Sequence, residues 1–309
     1  MRALVTGGAG FIGSNLADAL LGAGAEVTVV DDLSRGQRAQ VPDAAEFHQL
    51  DVVDERLAAL VAAVAPEVVF HQAAQIDVRR SVAEPVFDTR VNVLGTVNVL
   101  EACARAGVRR LVFASSGGAL YGDTTVLPTP ETHPCNPASA YGAAKLAGET
   151  YGSVYQQVHG LEVVALRYAN VYGPRQDPHG EAGVVAIFAQ RLIDGEDAIV
   201  NGDGTQTRDY VYVDDVVAAN VRAAETATLG AYNIGTARAC SVNELYELIA
   251  RAAGVDRPAR HSAAKPGEQR VSCLDISRAA SSLGWEPHLS LEEGISRTVA
   301  WFGKSGRGQ

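Results

Sequence analysis

Leu4-Val5-Thr6-Gly7-Gly8-Ala9-Gly10-Phe11-Ile12-Gly13 and, one helix later, Val27-Thr28-Val29-Val30-Asp31-Asp32 decide how this chain is read. A short apolar run meets three glycines spaced three apart. An amphipathic stretch from Phe11 to Leu21 follows, then a second β-branched run. The pattern is strand, Gly-rich turn, helix, strand: one βαβ unit at the N-terminus. The glycines supply clearance. One permits the tight turn, one lets the backbone approach a pyrophosphate, and one lets helix and strand pack closely. The helix N-terminus, opened by Phe11 and Ile12, offers free N–H groups and a positive dipole end to phosphates. Asp31 ends the second strand, where a carboxylate accepts hydrogen bonds from both ribose hydroxyls of an adenosine. A 2′-phosphate would be repelled there, so the expected cofactor is NAD rather than NADP.

Working outward, 309 residues allow one large or two medium domains with a sizeable core. A formal net charge of −10 argues against nucleic acid and anionic membranes as partners. Cys103, Cys135, Cys240 and Cys273 lie far apart without C-x-x-C spacing, which argues against structural zinc or a disulfide framework. No metal-ligand cluster is legible. The first strand starts at the initiator methionine, leaving no room for a signal peptide, and no apolar run is long enough to span a bilayer. The expectation is a cytoplasmic protein, its polar tail Lys304 to Gln309 frayed.

The alternation of strands and helices continues. Glu46 to Leu50 reads as a strand ending at Asp51-Val52, which would frame an adenine, and Asp54 as the cap of a helix to about Val64. Glu67 to Phe70 reads as a buried strand, followed by His71-Gln72-Ala73-Ala74-Gln75, small where a strand end would pass a dinucleotide. A long helical pattern from Val86 to Ala106 contains Asn92; a strand follows from Arg110 to Ala114, a helix from Ala138 to His159, and a strand from Glu162 to Arg167. This predicts a doubly wound α/β fold with a parallel sheet. After Tyr168 the texture changes. We expect a Rossmann domain over 1–170 and a smaller C-terminal α/β substrate domain over 171–309, whose segments can cross back. Val211 to Val213 and Tyr232 to Ile234 read as short strands of that second domain, and Asp214-Asp215 as a helix cap. Ligands belong at the carboxyl ends of the strands.

Two segments carry chemistry. Ser115-Ser116-Gly117-Gly118 leaves a strand end, and Tyr141-Gly-Ala-Ala-Lys145 opens a helix. Residues four apart share a helix face. Free tyrosine, with a pKa of about 10, is a poor base at neutral pH. A neighbouring ammonium and an oxidised nicotinamide would stabilise its phenolate. The pair suits removal of a hydroxyl proton while hydride leaves the same carbon.

Gly7-x-x-Gly10-x-x-Gly13, His71-Gln-Ala-Ala, Asn92-Val-x-Gly-Thr, Ser115-Ser116 through Tyr121-Gly122, Tyr141-x-x-x-Lys145 and Arg167-Tyr-Ala-Asn170-Val-Tyr-Gly-Pro resemble the extended short-chain dehydrogenase/reductases over nearly the whole chain. The resemblance is strongest to the nucleotide-sugar branch, the UDP-glucose 4-epimerases. It implies Tyr141 as base, Lys145 on the nicotinamide ribose and a serine hydroxyl on the sugar O4. It places cofactor contacts also at Asp32, Ser34, Arg35, Asp51, Val52, Ala73, Ala74, Gln75, Asn92, Ala114 and Tyr168. A UDP-sugar would be held by Asn170, Val184, Val185, Asn201, Arg208, Glu268 and Arg270, with Ser116 and Tyr141 at the sugar. It also implies a homodimer through the helices around Val86 to Ala106 and Ala138 to His159, whose apolar residues occupy more than one face.

There is one departure. Many relatives carry the active-site Ser or Thr four residues before the tyrosine of the Tyr-Gly pair, and here that residue is Gly117. The hydroxyl must come from Ser116, or from Ser115, with Ser139 a third candidate. Gly117-Gly118 also lacks the acidic residues that sugar dehydratases and decarboxylases of this group use, which leaves oxidation and return of hydride at C4. Alternatives are a UDP-glucuronate 4-epimerase, with Arg79 or Arg175 on the carboxylate, a net NAD-dependent nucleotide-sugar dehydrogenase or reductase, and a non-catalytic NAD-binding regulator.

Overall fold

The computed structural model describes residues 1–179, 183–264 and 269–305. Glu268 and most of the expected frayed tail lie outside them. The strands in chain order are β1 (Arg2–Thr6), β2 (Glu26–Asp31), β3 (Glu46–Gln49), β4 (Val68–His71), β5 (Arg110–Ser116) and β6 (Glu162–Tyr168). The later ones are β7 (Asn170–Tyr172), β8 (Ile199–Asn201), β9 (Thr207–Tyr212), β10 (Gly230–Ile234), β11 (Ala239–Ser241) and β12 (Arg260–Ser262).

Seven of these form one parallel sheet in the order β10-β6-β5-β4-β1-β2-β3. Successive residues along a strand point to opposite faces, and here both faces are dry. Ala3 and Val5 of β1 join Val29, Phe70, Val112 and Val164 in one apolar cluster; Leu4 joins Val30, Val69, Leu111 and Phe113 in the other. That is why the strands read as continuous apolar runs rather than alternating ones. The strand order reverses direction between β1 and β4, which opens a crevice at their carboxyl ends.

The chain that leaves this sheet after β6 returns to it. Tyr232 to Ile234, read as a strand of the smaller domain, instead belongs to β10, which pairs in parallel with β6. Tyr232 and Ile234 are fully buried there. The remaining C-terminal strands make two small sheets, β11-β9-β7 and β12-β8. Asp214-Asp215 does not cap a helix end. Helix Val213–Glu225 already encloses both residues, and the Asp215 carboxylate accepts from the backbone N–H of His288 and Leu289 at 2.9 and 3.3 Å, fixing the approach to the last helix.

The helical pattern from Val86 to Ala106 is interrupted once. Helix Pro85–Thr89 runs into a π-helical turn at Arg90–Leu94 and then into helix Gly95–Ala106. Such a turn widens the helix by one residue and re-aims the side chains around it. Asn92 lies within it. Among the described residues, no helix is long and apolar enough to cross a membrane.

Candidate active site

A cavity of about 660 Å³ occupies the crevice at the strand ends. Gly7 follows β1 with φ +69°, and a Cβ on it would sit 2.5 Å from the backbone nitrogen of Ala73, just past β4. A Cβ on Gly13 would collide with the Gly7 carbonyl oxygen. Thus Gly7 makes the turn and lets two strand ends converge, while Gly13 lets helix Phe11–Gly22 press against the turn. That helix begins at Gly10 with no side-chain cap and no acidic residue in its first turn, leaving its N–H groups for an anion.

Asp31 stands on the cavity wall. Its Oδ2 accepts from Ala9 N at 3.0 Å and its Oδ1 from Leu33 N at 2.9 Å. Each carboxylate oxygen has a second lone pair for a ribose hydroxyl. Burial pushes its pKa up, against the pull of the two backbone N–H groups. Beside it Asp32 Oδ1 accepts from the Ser34 backbone N–H at 2.9 Å and hydroxyl at 2.6 Å. Arg35 spans Asp77 at 3.9 Å and Asp177 at 3.8 Å. Phe11, Ile12, Asp51, Val52, Ala73, Ala74, Ala114 and Tyr168 complete the expected wall. Residues 175–179 also line it, which the sequence reading did not foresee. Of the two arginines considered for a sugar carboxylate, Arg79 is exposed, and Arg175 forms an ion pair with Asp18 at 2.5 Å.

Two expected cofactor contacts stand behind the wall instead. Gln75 N donates to Asn92 Oδ1 and Asn92 Nδ2 to Gln75 O, both at 2.9 Å. The amides are spent tying the end of β4 to the π-turn. His71 is bracketed in the same way, Nδ1 by Thr6 Oγ1 at 2.7 Å and Nε2 by Thr96 Oγ1 at 3.1 Å. Burial drops its pKa to about 3, so the ring is neutral and structural.

Tyr141 and Lys145 lie on the first turns of helix Ala140–His159. Ser139 caps that helix, its hydroxyl oxygen accepting from Gly142 N at 3.1 Å, and so is not available as the active-site hydroxyl. Lys145 Nζ donates to the carbonyl oxygen of Ala114 at 2.7 Å, at the end of β5, and stands 5.7 Å from the Tyr141 ring centroid. Burial pulls the lysine down to about 8, while Asp88 and Glu149 pull it up. The phenol runs against expectation: burial pushes Tyr141 up to about 12, and its Ser116 hydrogen bond is what draws it down. Losing solvent costs the phenolate more than the neighbouring hydroxyl restores.

The two serines separate cleanly. Ser116 stands near enough to Tyr141 to draw its phenol pKa down. Ser115 Oγ donates to Glu149 Oε1 at 2.5 Å, and Arg167 grips Glu149 through Nε at 2.9 Å and Nη2 at 2.6 Å. Arg167 Nη1 donates to the Tyr121 hydroxyl, which in turn donates to Asn233 Oδ1, both at 2.8 Å. Ser115 lines the cavity, but its hydroxyl is committed to the buried Glu149–Arg167 strut. The glycine at 117 also has a cause: a Cβ there would meet Leu274 Cδ1 at 2.5 Å.

Of the expected sugar-nucleotide contacts, Tyr141 stands on the cavity wall and the other described ones do not. Arg208 donates to Thr207 O at 2.8 Å and Gln269 O at 2.6 Å. Asn201 accepts from Ser262 Oγ at 3.1 Å, and Arg270 is exposed, with Nη2 donating to Thr205 Oγ1 at 3.2 Å. Val185 is packed in the core, Val184 partly so, and Asn170 is half-buried on β7. Glu268 falls outside the described residues. Among these residues no cluster of His, Cys, Asp or Glu could hold a metal. The sequence reading missed Asp88 and Glu149; the signals were an acid four residues before Asn92 and another four after Lys145.

Comparison with known proteins agrees with this geometry. The profile of the NAD dependent epimerase/dehydratase family matches residues 3–235. A UDP-glucose 4-epimerase of Mycolicibacterium smegmatis is 51% identical over 98% of this chain and 98% of its own. The crystal structure of a Thermotoga maritima UDP-glucose 4-epimerase with UDP-glucose superposes with a TM-score of 0.97, at 46% identity over 99% of both chains. A Thermus thermophilus UDP-glucose 4-epimerase in complex with NAD gives 0.94, at 45% identity over 100% of this chain and 99% of that one. Matched through its sheet and superposable on both structures from end to end, this chain belongs to the NAD dependent epimerase/dehydratase family.

Proposed function

We propose that the chain is an NAD-dependent UDP-sugar 4-epimerase of the UDP-glucose/UDP-galactose type. One observation carries this reading: Tyr141 on the cavity wall, its pKa drawn down by Ser116, four residues from a buried lysine, beside a Gly117-Gly118 helix start with no acid or base to spare. The residues present fit NAD: the Gly7-to-Gly13 turn and helix N-terminus for the pyrophosphate, Asp31 for the adenosine ribose, and Lys145 for the second ribose. Bound there, NAD would take up and return the hydride of C4. Tyr141 removes the O4 proton, Ser116 shares the hydrogen bond to that oxygen, and Tyr141 returns the proton after the 4-keto sugar has turned over. Asn170 and Arg208, with Arg270 beside them, are proposed to hold the diphosphate while the sugar turns, and Val184, Val185, Asn201 and Glu268 to contact the rest of the nucleotide sugar. A net dehydrogenation would need no such return.

The test is product analysis with UDP-glucose, UDP-N-acetylglucosamine and UDP-glucuronate, with absorbance at the NADH band followed in parallel. We expect UDP-glucose to yield UDP-galactose without net NADH, and Tyr141→Phe to lose about 10²–10⁴ in kcat while still binding substrate. Stoichiometric NADH release would make the enzyme a dehydrogenase, and wild-type turnover by Tyr141→Phe would remove the mechanism.

The same reading includes a homodimer. Val86 is 83% exposed and Val158 68% exposed, and Leu94, Val154 and Tyr151 are exposed on the same pair of elements. A monomer would leave these apolar residues in water.

A further inference from the structure

Tyr168 stands on the cavity wall at the end of β6, yet its hydroxyl is bonded to Asn220, which does not line the cavity. The β5–β6 register sets Tyr168 opposite Ser116, so it belongs to the same end of the cavity as Tyr141 and Lys145. Asn220 lies on helix Val213–Glu225 with 0% of its surface exposed.

Every hydrogen-bonding position of the Asn220 amide is filled. Its Nδ2 donates to the Tyr168 hydroxyl and to Val216 O, both at 2.8 Å. Its Oδ1 accepts from the Tyr168 hydroxyl at 3.1 Å and from Gln72 Nε2 at 2.9 Å. Gln72 follows β4, also lines the cavity, and adds a bond from Nε2 to the same hydroxyl at 3.2 Å. Around Asn220 the helix buries Val216, Val217, Ala219, Ala223 and Ala224. In such surroundings an apolar pair would pack without any polar group to satisfy. A fully satisfied buried network instead rigidifies its members and fixes one arrangement. Burial pushes the Tyr168 phenol up to about 12, with Gln72 and Asn220 drawing it down, so the hydroxyl stays protonated and able to donate.

We propose that Asn220 is a positioning residue for the cofactor: by holding the Tyr168 hydroxyl it sets that ring as a fixed wall for the nicotinamide. This rests on NAD lying as proposed above, with its second ribose at Lys145. The Gly7-to-Gly13 turn and Asp31 hold the adenosine and pyrophosphate, and the Tyr168 ring limits where the nicotinamide can sit relative to C4 of the sugar.

Asn220→Ala dismantles the network without altering a wall residue. Full-length protein freed of NAD is titrated by calorimetry with NAD and with ADP-ribose, which lacks the nicotinamide. We expect Asn220→Ala to weaken NAD by about 2–12-fold, the worth of one hydrogen bond, and to leave ADP-ribose affinity unchanged. Tyr168→Phe cuts the same link from the other side and keeps the ring. It should show the same selective loss, and it decides the matter if Asn220→Ala does not fold. A residue that only supports the fold would lower Tm and weaken both ligands alike or neither, and that result overturns the proposal. Tyr168→Ala separates two kinds of failure. If it weakens NAD selectively while Asn220→Ala does not, Tyr168 is the wall but Asn220 does not position it. If neither variant tells NAD from ADP-ribose, the nicotinamide lies elsewhere and the orientation of NAD falls with the proposal. With UDP-glucose, kcat of Asn220→Ala should fall by about 10-fold or more at unchanged KM, since a misplacement of about 1 Å can cost about 10²-fold. That readout rests on the epimerase reading, and the comparison of NAD with ADP-ribose does not.

Discussion

Ser115→Ala and Ser116→Ala should have opposite signatures, although the two residues are adjacent. Ser115 donates at 2.5 Å to Glu149, a carboxylate that also balances Arg167. A hydrogen bond to a charged group contributes about 1.5–3 kcal/mol. Unfolding entropy near 60 °C is about 2.1 cal/mol/K per residue, so for 309 residues it is about 0.65 kcal/mol/K. Ser115→Ala should therefore lower Tm by about 2–5 °C, with kcat little changed. Ser116 touches the reacting centre. Losing its bond to Tyr141, at the same 1.5–3 kcal/mol in the charged state, should lower kcat by about 10–150-fold. Its effect on Tm should be about 2 °C or less, since the resting phenol is neutral.

The pH profile adds a sign. Ser116 stabilises the phenolate, so its loss raises the pKa of Tyr141 and moves the acid limb of kcat to higher pH. Activity that depends on the phenolate is then lost at neutral pH and recovered in part as pH rises. Ser115→Ala should leave that limb in place. The assays are thermal melting of the NAD-saturated protein and kcat from pH 6 to 10. A larger loss of kcat in Ser115→Ala than in Ser116→Ala would refute the assignment. So would an unchanged Tm in Ser115→Ala.

Two further outcomes follow from other parts of the molecule. Wild type should bind NAD far more tightly than NADP, and Asp31→Ala should narrow that gap by about 10–150-fold, the range for hydrogen bonds to a charged group; equal wild-type affinities measured by calorimetry would contradict it. Val158→Asp should halve the mass seen by light scattering at micromolar concentration, because a carboxylate would be buried at the proposed dimer face; a wild type already monomeric there would remove the dimer.

What could be read from the sequence was whatever local geometry encodes. Gly7, Gly10 and Gly13 followed by a helix and then Asp31 specify a turn, an anion site and a carboxylate at known offsets. Tyr141 and Lys145 share a helix face because they are four apart. Continuous β-branched runs announced a sheet buried on both sides. All of these depend on spacings of a few residues, so a single sequence carries them.

Contacts between distant segments were not legible, because nothing in the local pattern says which polar group will satisfy which. Ser115 and Ser116 are equivalent as letters, and only the approach of Glu149 and Arg167 from β6 and its neighbouring helix makes one a strut and leaves the other for Tyr141. Gln75 and Asn92 read as cofactor contacts until the fold paired the Asn92 amide with the Gln75 backbone. Tyr232 and Ile234 read as a peripheral strand until β10 took its place beside β6. The phenol of Tyr141 moved against expectation for the same reason. Its neighbours in sequence set which charges are near, but burial is a property of the assembled fold, and here desolvation outweighs the pull of Ser116.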